Sequence, residues 1–85
     1  MTDEKQKQIE EGRKAKEIIE DPLVVGAFNI ILNTNYQKWV ATKPEDKQLR
    51  EELWYDTRAS LKFKEVFVQI LENGKIAEEE VKNNG

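Results

Sequence analysis

The chain contains no cysteine and no histidine. Without cysteine there is no disulfide, no iron–sulfur cluster and no thiol nucleophile. Without either residue there is no structural zinc site and no histidine-based triad. The single serine, Ser60, has no imidazole to activate it. The four glycines form no phosphate-binding loop. No enzymatic activity, cofactor or metal is therefore expected. Long hydrophobic runs are missing too. The longest uncharged stretch, Pro22 to Gln37, has 16 residues and includes Gly26, Asn29, Asn33 and Asn35. That is too short and too polar for a membrane span, so no membrane partner is expected. The opening Met1-Thr2-Asp3-Glu4-Lys5-Gln6 is polar and does not resemble a signal peptide. A cytoplasmic location follows as the expectation.

What remains is short and highly charged. Eighty-five residues, 10.0 kDa, make one small domain, residues 1–85. Such a chain buries only roughly 60–65% of its unfolded surface and is marginal alone. With no disulfide or metal, oligomerisation is the usual remedy. Charged residues are 36% of the chain, 14 basic against 17 acidic, for a net charge of −3. That balance argues mildly against a general nucleic-acid binder.

The two prolines act as punctuation. Asp21-Pro22 predicts a helix start, with Asp21 capping and Pro22 at the first helical position. Thr42 and Glu45 have capping-box spacing, which predicts a second start near Pro44. Asn73-Gly74 predicts a stop. No strand-like alternation occurs. The fold class expected is all-α, with helices over roughly 3–20, 22–41 and 44–73. Residues 1–12 could form a flexible arm and 75–85 a frayed tail. A 30-residue third helix would be about 45 Å long, whereas a compact globule of this size spans only roughly 30 Å. A long antiparallel hairpin of helices two and three, with an N-terminal amphipathic helix, fits better. An oligomeric bundle of such hairpins is expected.

Helix two drives that expectation. A helix apolar nearly all round is a buried helix, and three helices cannot cover one of their own on every side. Val25, Phe28, Leu32, Tyr36 and Trp39 form one stripe, with Ile31 beside it and Leu23 and Ile30 widening it. On helix three, Leu53 and Phe67 lie on the main seam, and Trp54, Leu61 and Val68 on an adjacent stripe. These eleven residues (Val25, Phe28, Ile31, Leu32, Tyr36, Trp39, Leu53, Trp54, Leu61, Phe67 and Val68) are the predicted oligomer interface. Trp39 and Trp54 are expected to meet across the turn and staple the two helices. Asn29, Asn33 and Asn35 are candidates for polar groups that set register.

Other clusters have plainer readings. Glu51, Glu52 and Asp56 could hold a cation but fit a solvated helix face. Arg13-Lys14-Ala15-Lys16 is interleaved with Glu10, Glu11, Glu17 and Glu20. Lys38, Lys43, Lys47 and Arg50 gather near the interhelix turn and are the better candidates for nucleic-acid contact, though that role is not favoured.

Several segments together resemble a family of short helical proteins encoded by tailed bacteriophages: Arg13-Lys14-Ala15-Lys16-Glu17-Ile18-Ile19, Asp21-Pro22-Leu23, Ala27-Phe28, Lys38-Trp39, Asp46, Arg50-Glu51-Glu52-Leu53-Trp54 and Gly74-Lys75-Ile76-Ala77. The resemblance covers residues 13–77. It implies a viral origin and residence in the host cytoplasm or the virion, and it brings no assigned activity. The expectation is a non-enzymatic protein that self-associates, as a homo-oligomer or with another phage protein, in virion assembly or DNA packaging. The alternative is a DNA-associated packaging factor resembling a small terminase subunit.

Overall fold

The computed structural model describes residues 2–84. They form three α-helices: α1 (Thr2–Glu20), α2 (Pro22–Val40) and α3 (Lys47–Asn84). No strand occurs among the described residues, and the fold is all-α. No helix is long and apolar enough to cross a membrane among the described residues.

Local chemistry explains the boundaries. The Asp21 carboxylate accepts hydrogen bonds from the backbone N–H of Leu23 at 2.8 Å and of Val24 at 3.3 Å. Two of the donors left over at the start of α2 are thereby satisfied, and Pro22 has none to satisfy. At the other end of α2 the Trp39 carbonyl accepts from both the N–H and the hydroxyl of Thr42. The second start differs from expectation. Helix α3 begins at Lys47, not Pro44, and Thr42 and Glu45 form no capping box. Asp46 organises the entry instead. Its carboxylate accepts from the Lys43 N–H at 2.9 Å, and its carbonyl accepts the first helical bond from the Arg50 N–H at 3.0 Å.

Helices α1 and α2 follow one another along α3, which runs antiparallel to both. Lys5 meets Glu80, Gly12 meets Gly74, Phe28 meets Phe63, Asn35 meets Asp56, and Trp39 meets Arg50. The first number rises as the second falls. With 38 residues α3 is about 57 Å long, and the molecule's longest dimension is 60 Å. Its radius of gyration is 18.1 Å, against about 12 Å for a compact domain of this length.

The far end of the rod corrects two expectations. Residues 2–12 belong to α1 and residues 75–84 to α3, in place of an arm and a tail; Met1 and Gly85 lie outside the described residues. The reason is a close crossing. A Cβ on Gly12 would lie 2.9 Å from the Gly74 Cα, and one on Gly74 would lie 2.8 Å from the Gln8 carbonyl oxygen. Two glycines let two backbones touch, and Ile9, Ala15 and Ala77 are buried around them. Gly74 therefore continues the helix: close packing of one backbone on the other outweighs the local stop signal. Lys5 to Glu80 at 3.0 Å and Arg13 to Glu78 at 3.9 Å bridge the two helices. As exposed pairs they contribute about 0–1 kcal/mol each.

Packing is thin elsewhere. Leu53 is the buried apolar residue between α2 and α3, and no large side chain is fully buried among the described residues.

Candidate functional site

The α2–α3 end carries the apolar surface. Asn35, buried, is its one polar anchor: the side-chain amide donates to the Asp56 carboxylate at 2.8 Å and to the Thr57 hydroxyl at 3.2 Å. These bonds set the register of α2 on α3 within a single chain. Asn29 and Asn33 are exposed. Asp56 is thus held by an amide, and no group of three or more acidic side chains is placed to hold a metal ion among the described residues.

A furrow runs along one side of the helix pair. One part, about 250 Å³, is lined by Leu32, Asn35, Tyr36, Trp39, Leu53, Trp54 and Thr57. Leu32 also belongs to the next part, with Val25, Phe28 and Leu61, and Leu61 to the one beyond, with Val68. Nine of the eleven predicted interface residues therefore lie along one furrow. Ile31 is outside it and exposed, and Phe67 is half-buried beside Phe63.

Within the furrow the residues divide by role. Leu53 forms the floor, and Phe28 and Leu32 are half-buried, with the Phe28 ring 6.3 Å from that of Phe63. They hold the chain's own helices together. Tyr36 and Trp54 stand open, 61% and 58% exposed. The expected tryptophan staple takes another form. The Arg50 guanidinium lies over the Trp39 ring at 4.2 Å, and Trp54 packs edge-on against Tyr55 at 5.2 Å. A cation over the indole face, not a second indole, clamps α2 to α3.

The predicted interface omits the outer face of α2. Leu23 and Ile30 are far more exposed than Phe28 or Leu32. Their seven-residue spacing on the side opposite Phe28 was the available signal. Phe63 is likewise exposed.

The basic candidates are partly engaged. Arg50, besides covering Trp39, donates to the Thr42 hydroxyl at 3.3 Å. Lys38, Lys43 and Lys47 are exposed, and Glu45, Asp46 and Glu52 share the surface depression beside Lys47. That end is of mixed charge. At the other end Arg13, Lys16 and Lys75 ring a depression together with Glu78. No family model, curated protein or solved structure matches the chain.

Proposed function

We propose that this chain is a non-enzymatic helical protein that works by self-association, as a structural or accessory component of virion assembly or DNA packaging. In this reading α2 and the first half of α3 act as one antiparallel hairpin, and copies of it form an oligomeric bundle. One observation carries the self-association: Leu23, Ile30, Tyr36, Trp54 and Phe63 are all more than half exposed at the same end of the rod. Where such side chains are contiguous they mark an interaction site. The viral setting rests on the resemblance of residues 13–77 alone.

Sedimentation equilibrium on the full chain tests the association. The expected result is an oligomer at micromolar concentration; a single-copy particle at about 1 mM would sink the proposal. Neighbouring genes test the setting, which head or packaging genes would support and a locus without phage genes would refute. DNA association is the less favoured reading, because the cationic end also bears Glu45, Asp46 and Glu52. Any such binding should weaken steeply as salt rises.

A further inference from the structure

The face of α2 turned away from α3 is open and apolar. Leu23 is 82% exposed and Ile30 68%. Seven residues apart, they stand about 10 Å from one another on one side of the helix. Gly26 and Ala27 lie between them. A Cβ added at Gly26 meets nothing within 4 Å outside its own stretch of helix. Glycine is unfavourable in mid-helix relative to alanine. At Gly12 and Gly74 the crossing of α1 and α3 explains it; at Gly26 nothing inside the chain does.

We infer that this face is where two copies of the chain meet, α2 against α2 in antiparallel register, crossing at Gly26 and Ala27. The inference rests on the self-association reading and supplies its geometry. A two-fold axis at the crossing sets Leu23 against Ile30 of the partner subunit, and Ile30 against Leu23 of the partner subunit. The missing side chain at Gly26 lets the helix axes approach, so that the large side chains close over the contact on either side.

Two observations choose a second copy over a different protein. The first is charge. Near a two-fold axis each residue faces its own counterpart, so any ionised group there meets its like. From Pro22 to Gln37 α2 has no Asp, Glu, Lys or Arg. In a chain that is 36% charged, that is the one long segment able to meet its own copy without repulsion. The second is area. The chain exposes 6,890 Å², whereas a compact monomer of its mass exposes about 5,200 Å². The excess over the whole rod, roughly 1,700 Å², is more than the ~800 Å² each partner buries in a standard interface. The chain also packs helices this way internally, where Gly12 touches Gly74.

Two substitutions in the full chain test this. Gly26→Leu adds apolar surface and helix propensity at a site with room for it. If the face is free or binds only loosely, association stays the same or tightens. At a crossing, the same change holds the helices apart, and the expected result is at least a tenfold weaker dimer by sedimentation equilibrium, with undiminished helical circular dichroism. The chain has no cysteine, so Ala27→Cys reports proximity directly. Mild oxidation at micromolar concentration should give a covalent dimer much faster than it does for Glu79→Cys, far along α3. A wild type that self-associates, with Gly26→Leu associating as tightly and Ala27→Cys cross-linking no faster than Glu79→Cys, overturns this geometry and leaves the self-association reading intact. A single-copy wild type overturns both. If Gly26→Leu does not fold, the cross-linking rates alone decide.

Discussion

Gly12 and Gly74 show how one residue type can mean opposite things at different sites. Both sit in mid-helix, where alanine is better by about 1 kcal/mol. Yet neither can take a methyl group without moving backbone, because each Cβ would lie under 3.0 Å from the other glycine's Cα. Overpacking of this kind costs typically 1–3 kcal/mol. Gly74→Ala should therefore lower stability by roughly 2 kcal/mol in urea unfolding, despite its better helix propensity; an increase would show that the helices separate at little cost. In the sequence alone a mid-helix Gly12 reads as a weak point, and Gly74 reads as a stop. The partner that reverses both meanings lies 62 positions away, and no local pattern records it.

At the scale of the element, the cap of α2 was legible, and the entry and continuation of α3 were not. The start of α2 follows from Asp21-Pro22 because the capping atoms sit two and three residues from their donors. Asp21→Ala should cost about 1 kcal/mol, read as a lower urea midpoint together with faster amide exchange at Leu23 and Val24. The entry to α3 was misplaced by three residues, because Asp46 bonds backward to Lys43 instead of Thr42 capping forward. Across the same turn, Arg50 over Trp39 joins two elements. An exposed cation–π contact of this type is worth about 0.5–1 kcal/mol. Arg50→Ala should lower stability by that amount and change the tryptophan fluorescence; an unaltered spectrum would mean that the guanidinium does not rest on the ring.

The whole molecule is a rod with two unlike ends. Where α1 meets α3, small residues bring the backbones together and charged side chains cover the outside. Where α2 meets α3, one leucine and one asparagine are buried, and aromatic and aliphatic side chains face water. The proposed association through the second end would add stability by mass action. The thermal midpoint should thus rise by several degrees between about 5 and 500 μM chain. A midpoint independent of concentration would show that folding is complete in one copy. Because the proposed α2 contact would carry no charge, raising salt from about 0.05 to 0.5 M should leave association undiminished, whereas a charge-mediated contact would weaken.

By itself, the sequence determined that this protein is helical, where its first two helices lie, and that one of them is too apolar for a short chain to cover. Those properties depend on neighbours within a turn or two, and on the ratio of apolar residues to chain length. Only the tertiary structure decided that α3 continues past Gly74, that Asn35 spends its amide on Asp56 and Thr57, that Arg50 covers Trp39, and that Leu23 and Ile30 stay in the open. Each of these depends on which residues from distant parts of the chain come within a few ångströms of one another, and packing the whole rod fixes that.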